Sequence, residues 1–531
     1  MTAETRHTAT NHASSDDGFA QGVLGRSRHA LQDDFLRAAV RFTADRLRGK
    51  KQTATTSLGR WEEWRERGRQ IRSHTVANLD YYLGQFADNV TAAGGHVYFA
   101  ADAAEARAVV QSIMREKQAR RVVKSKSMVS EEIGINHVLE AEGIEVVETD
   151  LGEYIVQLAK ETPSHIIIPA IHKNRQQIKE LFTEAGGENL TTDTKTLTAF
   201  ARRTMRDKFI HADVGITGCN FGIAESGSVV LFTNEGNADM VTNLPSTHIV
   251  LMGMERLLPT FADLETMANL LPRSATGQSI TTYMSVLTGC RRPTDVDGAR
   301  DMHLIILDNG RSRQLGDLKM QHILNCIRCG ACLNVCPVYR QIGGHAYGSV
   351  YPGPIGAVLS PVLNDGEKYS DLPYASSLCG ACSEACPVKI PLHDLLVHLR
   401  QRHVDSGQTK RTERLAFKGF QFAFSKPGRL SLAMKVARFG QKPLSKNGRI
   451  ESKIGPLRGW TEGRDAPTVA QSSFRERWTS LQKELHQFGN TDNKRHGDLN
   501  GDLNGDRNGE LNNGSSLNQE SRDRKGDGRH E

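Results

Sequence analysis

Two short stretches rich in cysteine decide the fold of the second half of the chain. The first is NCIRCGACLNVCPVY (325–339), and SLCGACSEACPVKI (377–390) follows some forty residues later. The cysteines of the first stretch are Cys326, Cys329, Cys332 and Cys336. Their C-x2-C-x2-C-x3-C-P spacing is typical of a segment that binds iron–sulfur clusters. In this pattern one tight loop carries three ligands of one cluster, while the last cysteine binds a different cluster.

The second stretch aligns with the first on its Cys-Pro pair. Cys386 then matches Cys336, and Ser376 stands where the first stretch has Cys326. Exchanging the last ligands, as bacterial ferredoxins do, predicts two sites. The first is cluster 1, with Cys326, Cys329, Cys332 and Cys386. The second is cluster 2, with Cys336, Cys379 and Cys382.

Cluster 2 has only three predicted thiolates, and this leaves two alternatives. It is either [4Fe–4S] with a fourth ligand other than cysteine, for which Ser376 is a candidate, or [3Fe–4S], which needs only three. We favour [4Fe–4S] at both sites. Zinc also binds to C-x2-C pairs, but a zinc site gives no role to a third cysteine at the next interval and a fourth before proline.

The remaining composition points to a globular protein in a reducing compartment. Seven of the nine cysteines lie in the two arrays, which argues for metal ligation and against a disulfide framework. The other two, Cys219 and Cys290, are expected to be small buried apolar residues. A net charge of +7 is weak evidence for nucleic-acid binding. No apolar run is long enough for a membrane span, and the N-terminus lacks a signal peptide, so we expect a cytoplasmic protein.

An α/β domain is predicted ahead of the cysteine arrays, because short β-branched runs alternate with helical stretches there. The predicted strands are HVYFA (96–100), RVVK (121–124), IEVVE (144–148), the run from His165 to Ile168, SVVLFT (228–233), HIVLM (248–252) and HLIIL (303–307). We expect a largely parallel central sheet, in which some of the later strands are antiparallel.

These patterns divide the chain into six predicted segments. In order they are a disordered N-terminus (1–30), a helical lead-in (31–90), the α/β domain (91–310), an α-helical two-cluster ferredoxin-type domain (311–400), a helical C-terminal region (401–485) and a disordered tail rich in Asn, Gly and Asp (486–531). The tail has too little apolar surface to offset its ordering entropy.

No nucleotide-binding or catalytic zinc motif occurs in the sequence, since G-x-G-x-x-G after a strand, G-x-x-x-x-G-K-[ST] and H-E-x-x-H are all missing. A two-cluster protein without its own hydride cofactor is better interpreted as an electron carrier than as the site of substrate oxidation. We therefore assign no catalytic residue.

Several phrases in the α/β domain carry a family resemblance, among them KSKSMVSEEIGIN and GITGCNFGIAESGSVVLFTNEGN. Together with the arrays and the later GPLRGWTEGRDAP, they resemble lactate utilization protein B, the iron–sulfur subunit of bacterial L-lactate oxidation. The resemblance runs from about residue 40 to 485. It implies a lactate-utilization (LUD) domain, similar in fold to sugar-phosphate isomerases and CoA transferases. It also implies two [4Fe–4S] clusters on the seven array cysteines, and two sister proteins with which lactate is oxidised to pyruvate.

The α/β domain offers three sets of candidate ligand-binding residues. Glu225 and Glu235 flank a buried strand at the level where such domains bind ligands, although solvated acids beside turns explain them as well. The run from Lys124 to Ser127 follows a strand and is either an anion site or a plain helix entry. The histidines His165, His172 and His211 are each expected to be structural.

The favoured function is an electron-transfer subunit that takes electrons from a lactate-oxidising partner and passes them through two clusters to an acceptor. Membrane association, if any, is expected to occur through partners. Two alternatives stay open: an enzyme whose LUD domain acts on a small acidic substrate, and a redox-sensing iron–sulfur scaffold. The sequence has no helix-turn-helix pattern and no basic, aromatic-rich face to support a regulator that binds nucleic acid.

Overall fold

The computed structural model describes residues 22–486 with the exception of 365–367, 410, 451–460, 462–463 and 479. The chain divides into two compact units, one that ends at Gln408 and one that begins at Thr409. The tail predicted to be disordered lies outside the described residues from 487 onward, as do residues 1–21. The domain boundaries drawn from the sequence stay predictions.

From residue 22 onward, where the described part of the chain begins, four helices precede the first strand: α1 (Gly22–Ala30), α2 (Asp34–Leu58), α3 (Trp61–Ala77) and α4 (Leu79–Ala92). The sequence predicts disorder where α1 forms. Contacts distant in sequence order this helix, since the Val23 N–H donates to the carboxylate of Asp371 and the Arg26 guanidinium donates to the Ala346 carbonyl at 3.0 Å. Such long-range contacts cannot be inferred from the local amino-acid composition.

Ten strands follow within the described residues of the first unit. They are β1 (His96–Ala100), β2 (Arg121–Lys124), β3 (Glu145–Glu148), β4 (Val214–Thr217), β5 (Phe221–Ile223), β6 (Ser228–Thr233), β7 (Thr247–Gly253), β8 (Leu257–Leu258), β9 (Tyr283–Leu287) and β10 (Asp301–Leu307). Six of them form a central sheet in the order β1-β10-β7-β4-β2-β3, and every pairing in it is parallel. The expectation of antiparallel strands within this sheet is therefore wrong. The antiparallel pairs belong to a separate four-stranded sheet, β8-β5-β6-β9.

The strand predicted from His165 to Ile168 is also wrong, and the other predicted strands are confirmed. The backbone N–H groups of Ile167 and Ile168 donate to Nδ1 of His165 at 2.9 and 3.2 Å. The Ser164 N–H donates to the Pro169 carbonyl at 3.0 Å. These local bonds pair backbone N–H and carbonyl groups of the segment without a neighbouring strand, as side-chain-to-backbone bonds do in turns.

The helices of the α/β domain cover both faces of the central sheet. They are α5 (Ala103–Glu116), α6 (Met128–Glu132), α7 (Ile135–Ala141), α8 (Leu151–Leu158), α9 (Arg175–Glu184), α10 (Thr194–Ile210), α11 (Asn237–Asn243) and α12 (Phe261–Ala275). One face packs on α5 and α7 through residues such as Val110 and Leu139. On the opposite face, α4 supplies Phe86 and Val90, which pack with strand residues such as Val250. Both layers exclude water from the parallel strands, as all-parallel sheets require.

Short helices surround the cysteine arrays: α13 (Ala331–Val335), α14 (Tyr339–Ile342), α15 (Gly353–Leu363), α16 (Ala381–Ala385) and α17 (Leu392–Asp405). Their core is continuous with α12 and with the lead-in helices, because buried Met267 and Val76 belong to the same apolar cluster as Leu333 and Leu396. The segment with the arrays is thus packed onto the α/β domain within one compact unit.

The second unit contains two longer helices, α18 (Arg411–Phe424) and α19 (Pro427–Gly440), and three two-residue strands, β11 (Ser445–Lys446), β12 (Arg449–Ile450) and β13 (Ala466–Pro467). The strands form an antiparallel sheet in chain order. Across the described residues, no helix is both long enough and apolar enough to cross a membrane.

Candidate metal centre and adjoining cavity

The two cysteine arrays have the same backbone conformation. Arg328 and Leu378, which each precede the second position of their array, have left-handed φ angles of 59° and 55°. Gly330 and Gly380 follow at 71° and 80° and begin the helices α13 and α16. A Cβ on Gly330 would also lie within 3.3 Å of the side chain of His165. Glycine is needed there for its positive φ and for the close approach of the α/β domain.

Four thiols line one cavity, namely those of Cys326, Cys329, Cys332 and Cys386. Burial raises the pKa of the Cys329 thiol to about 12, and the nearby Cys386 is the next largest contributor. Burial also raises the pKa of Cys332 well above its usual value, with Cys329 and Cys326 acting in the same direction. Buried thiols crowded in this way are costly to ionise, unless a bound metal compensates the negative charge.

The other three array thiols form a second group. Burial raises the pKa of Cys382 to about 11, followed by the influence of Cys336. Cys379 is exposed, and its pKa is lowered chiefly by a bond from the backbone of Ala381. Cys379 also acts on Cys336, so the three thiols are mutual neighbours. The last cysteine of each array therefore lies with the opposite array.

Ser376 occupies the place in the second array that Cys326 occupies in the first. The Arg328 N–H donates to Sγ of Cys326 at 3.4 Å, and the Leu378 N–H donates to Oγ of Ser376 at 3.1 Å. Both bonds run from residue i+2 back to residue i in loops of the same shape. The alignment that places Ser376 opposite Cys326 thus has a structural counterpart.

Buried arginines surround the four-thiol cavity in excess of buried acids. Arg256 donates to the Cys326 carbonyl at 2.8 Å, and Arg65 donates to the Cys386 carbonyl at 3.0 Å. Arg72 is fully buried and donates to the Leu324 carbonyl at 2.9 Å. None of these three bonds involves a carboxylate. Arg65 also forms an ion pair with the exposed Glu62 at 2.6 Å, whereas Arg72 and Arg256 have no ion pair among the described residues. Since a buried charge without a counter-charge is costly, the cavity suits an anionic group.

Two buried glutamates offset part of this positive charge. Glu255 forms ion pairs with Arg311 at 2.7 Å and with Arg328 at 3.1 Å. Glu132 pairs with Arg311 at 2.8 Å and accepts from the Tyr351 hydroxyl at 2.6 Å. An iron–sulfur cluster with four thiolate ligands has a net negative charge, so both the donor set and the remaining cations fit such a group.

A cavity of about 330 Å³ opens in the α/β domain at the carboxyl ends of β2, β4 and β7. Ligands bind at this edge of parallel sheets in α/β proteins. Its charged lining residues are Lys126, Asp150, Glu235, Glu255, Arg256 and Arg328. The cavity thus joins the α/β domain to the first cysteine array, which contributes Arg328.

The two glutamates singled out in the sequence have different positions. Glu235 lines the cavity and accepts from the Leu151 N–H at 3.1 Å. Burial and the neighbouring Asp150 raise the pKa of Glu235 to about 7. Glu225 is exposed and accepts from the Phe261 N–H at 2.7 Å, at the first residue of α12. Only Glu235 is therefore placed to meet a ligand in the cavity.

The predicted anion site at Lys124–Ser127 is only partly supported. Ser125, Lys126 and Ser127 line the cavity. Lys124 is instead fully buried between Glu131 and Glu148, with its Nζ 2.7 Å from a carboxylate oxygen of each. Burial alone would lower the pKa of Lys124, but these two carboxylates outweigh it and raise the pKa. Lys124 is therefore structural.

Glu153, near the Lys124 pairs, is a further buried acid. Burial raises its pKa to about 8, partly offset by Lys126. One of its carboxylate oxygens, Oε1, is buried and has no hydrogen-bond partner among the described residues. No sequence pattern distinguishes this group, because it lies within an ordinary amphipathic helix, α8.

The remaining sequence candidates have structural surroundings. Nδ1 of His165 accepts the turn bonds described above, and burial lowers the pKa of this ring to about 4. His172 contacts a carboxylate oxygen of Glu161 at 2.6 Å, and exposed His211 lies beside Asp207. Neither Cys219 nor Cys290 is fully buried as expected, since both are half-buried.

Comparison with known proteins gives three family matches along the chain. The LUD domain matches residues 83–307, the 4Fe-4S dicluster domain 322–390, and the C-terminal domain of lactate utilisation protein B 400–483. Lactate utilization protein B of Oceanobacillus iheyensis is 51% identical over 462 residues, covering 87% of this chain and 96% of the relative. The chain belongs to the lactate utilization protein B family.

Other members of this family match as closely. The proteins of Shouchella clausii and Macrococcus caseolyticus are 52% and 53% identical, over 86% and 84% of this chain and 97% and 94% of their own. The resemblance and the fold class predicted from the sequence are thereby confirmed: a LUD domain with a parallel sheet, an iron–sulfur dicluster domain and a helical C-terminal region. The buried cysteines together with the dicluster match support an iron–sulfur cofactor.

Proposed function

We propose that this family member is the electron-carrying iron–sulfur subunit of an L-lactate oxidation system. It works in the cytoplasm with two sister proteins, one of which oxidises lactate to pyruvate. When bound, the clusters supply one-electron transfer. The printed name of the relatives, lactate utilization protein B, supports the metabolic assignment, and the dicluster match supports the cofactor class.

The observation that carries the proposal is the exchange of Cys336 and Cys386 between the arrays. We assign cluster 1 to Cys326, Cys329, Cys332 and Cys386. We assign cluster 2 to Cys336, Cys379 and Cys382, with Ser376 as the fourth ligand of a [4Fe–4S] group. The shared cavity of the first four thiols and the mutual influence of the other three support this assignment.

The two thiol groups lie next to each other, which suits a chain of redox groups. Cys332 of the first group is close enough to Cys382 of the second for the charge of Cys382 to raise its pKa. The helices α13 and α16, which carry these two residues, pack against each other. The residues of this contact would hold both clusters at a fixed separation and keep water from between them.

The surrounding cations have a definite role in this proposal. Arg328 and Lys51 both lie near thiols of the first group. Burial lowers the pKa of Lys51, and the thiols of Cys329 and Cys386 partly offset this effect. Positive charge near a cluster stabilises its reduced form, because reduction adds a negative charge. We therefore expect these cations to raise the reduction potential of cluster 1.

The proposal is tested with anaerobically purified full-length protein. Iron and sulfide analysis should give two clusters per chain, and EPR after complete reduction should show two interacting paramagnetic centres.

A deletion strain should lose growth on L-lactate and regain it with the wild-type gene but not with a gene that encodes Cys386→Ser. Cys290→Ser, which removes a thiol outside the arrays, is the matched control and should restore growth. A protein that binds zinc and no iron, or a deletion strain that grows normally on lactate without a second lactate-oxidising system, would overturn the proposal.

A further inference from the structure

Arg328 lines both the four-thiol cavity and the cavity of the α/β domain. Its backbone belongs to the first cysteine array, and its N–H contacts Sγ of Cys326. Its guanidinium lies over the ring of Tyr351, with 5.1 Å between the guanidinium carbon and the ring centroid. One side chain therefore separates the place assigned to cluster 1 from a cavity that is open to a small molecule.

The guanidinium of Arg328 does not use all of its hydrogen-bond donors within the described residues. One terminal nitrogen pairs with Glu255 at 3.1 Å. The other, Nη1, is buried and has no hydrogen-bond partner among the described residues. Glu255 is shared with Arg311, so it does not fully neutralise Arg328. A buried donor without an acceptor is costly, and a ligand with an anionic oxygen would satisfy it.

Lys126 provides a second cation on the wall of this cavity. Its Nζ donates to the Ile167 carbonyl at 2.8 Å, and no ion pair joins it to an acid among the residues that the structure describes. An ammonium group has three donors, so this single bond leaves donors for a ligand. Arg256 adds positive charge between the two cavities, although its guanidinium is already bonded to the carbonyls of Cys326 and Asn220.

The same cavity also offers groups suited to an uncharged oxygen. Glu235 titrates near neutral pH because burial and Asp150 raise its pKa to about 7, so it can donate or accept a hydrogen bond there. The lining also includes the hydroxyls of Ser127 and Thr233. Its volume of about 330 Å³ lies at the lower end of the range for small-molecule sites, roughly 300–1,000 Å³.

We propose that this cavity binds a small 2-hydroxy or 2-oxo carboxylic acid, with the carboxylate on Arg328 and Lys126, and that the bound acid shifts the reduction potential of the adjacent cluster. The binding of the acid is inferred from the cavity alone, whereas its effect on the reduction potential rests on the proposed function. The 2-oxygen of the acid is held by Glu235 and its neighbouring hydroxyls. No bond in the acid is made or broken in this proposal.

The direction of the coupling follows from charge. An anion beside Arg328 reduces the positive potential that stabilises the extra electron, so binding lowers the reduction potential of cluster 1. By linkage, the reduced protein binds the acid more weakly by the same free energy. A tenfold difference in affinity between the two redox states corresponds to a shift of about 59 mV for one electron. The protein would thus release the acid on reduction.

The test uses anaerobic holoprotein with sodium pyruvate as the probe, and with acetate and phosphate at equal ionic strength for comparison. Isothermal calorimetry should detect pyruvate binding, with acetate and phosphate at least tenfold weaker. An EPR-monitored potentiometric titration should show a lower potential for cluster 1 with pyruvate, and a smaller change for cluster 2. Lys126→Met and Arg328→Gln should each weaken pyruvate binding at least tenfold. Arg203→Gln, on the exposed side of α10, is the matched charge control and should bind pyruvate as the wild type does.

The outcomes separate this inference from the proposed function. Clusters that assemble normally, with neither heat nor a potential shift on adding pyruvate, would overturn the inference and leave the function intact. Equal binding of acetate or phosphate, or wild-type affinity in Lys126→Met, would likewise overturn it. Lys126 lies outside the arrays, so this variant remains informative even where Arg328→Gln disturbs the cluster. Protein that assembles no cluster would overturn the proposed function and the coupling, while calorimetry would still test the carboxylate site.

Discussion

The main-chain N–H of Leu378 donates a hydrogen bond to Oγ of Ser376 at 3.1 Å. The corresponding bond of the first array ends on the sulfur of Cys326. The backbone therefore presents a serine hydroxyl in the same manner in which it presents a predicted thiolate ligand. This relationship bears directly on whether cluster 2 has a fourth protein ligand.

Changing Ser376 tests that ligand. Ser376→Ala should increase the conversion of cluster 2 to the three-iron form in air several-fold, because the fourth iron would lose its protein ligand. Ser376→Cys should slow this conversion, since a thiolate binds iron more firmly than a hydroxyl. The EPR signal of the oxidised three-iron form measures both. Ser112→Ala, at an exposed position of α5, is the control, and an equal increase in that variant would argue against a special role for Ser376.

Cys336→Ser and Cys386→Ser should each remove the cluster whose other thiolates lie in the opposite array. Cys336 is in the first array but should be needed for cluster 2, while Cys386 is in the second array but should be needed for cluster 1. Each variant should lose about half of its iron and keep the EPR signal of the other cluster. If a variant instead lost the cluster whose other thiolates lie in the same array as the substituted cysteine, the result would contradict the exchange of ligands.

Arg72→Leu should destabilise the protein by about 3 kcal/mol or more. Arg72 donates to the carbonyls of Leu257 and Leu324, so it ties α3 both to β8 and to the turn before the first array. Its removal leaves buried carbonyls without donors, at roughly 1–3 kcal/mol each. Urea unfolding followed by circular dichroism measures the change. Arg67→Leu, at an exposed position of the same helix, is the control and should change stability by less than about 0.5 kcal/mol.

Stability should fall with rising pH because of Glu153. Burial raises the pKa of this carboxyl to about 8 in the folded protein, from its ordinary value of 4.5. The folded state therefore holds a proton that the unfolded state has lost, so stability declines as pH rises from about 4.5 and levels off above about 8. Glu153→Gln should flatten this decline and make the variant more stable than the wild type at pH 8.5, by roughly 4 kcal/mol.

Urea midpoints between pH 5 and pH 9 measure this effect. The free energy of unfolding should converge for wild type and Glu153→Gln at the acid end of this range. Glu140→Gln lies at an exposed position of α7 and should leave the pH profile of the wild type unchanged. A Glu153→Gln variant with the same slope as the wild type would show that this carboxyl is ionised in the folded state.

Sequence reasoning succeeded where the chemistry is local. The strands β1, β2 and β3 are continuous β-branched runs between helices, and the cysteine spacing is a property of a few consecutive residues. The run from His165 to Ile168 misled because its apolar side chains belong to a turn packed against the first array. The short strand β5 was missed because a glycine interrupts its apolar pattern.

The cavity was only partly predictable for the same reason. Lys126 follows β2, a strand of the parallel sheet that the pattern identified, so its position at the carboxyl edge could be expected. Glu235 follows β6, which the pattern also identified but which belongs to the separate four-stranded sheet. Arg256 and Arg328 reach the cavity from β8 and from the first array, and no local pattern relates these segments to β2. Arg328 did offer one overlooked signal, because a basic residue between two predicted ligands must lie close to the cluster.

The exchange of Cys336 and Cys386 has a consequence for how the protein matures during synthesis. On the proposed ligand assignment, cluster 2 has its full set of thiolates only when residue 382 has left the ribosome, and cluster 1 only when residue 386 has. A nascent chain arrested between the arrays would hold three cysteines of one site and a single cysteine of the other. Iron–sulfur insertion would then occur late, only in chains that have been translated through both arrays. Binding of the clusters would close the loop between the arrays in those chains.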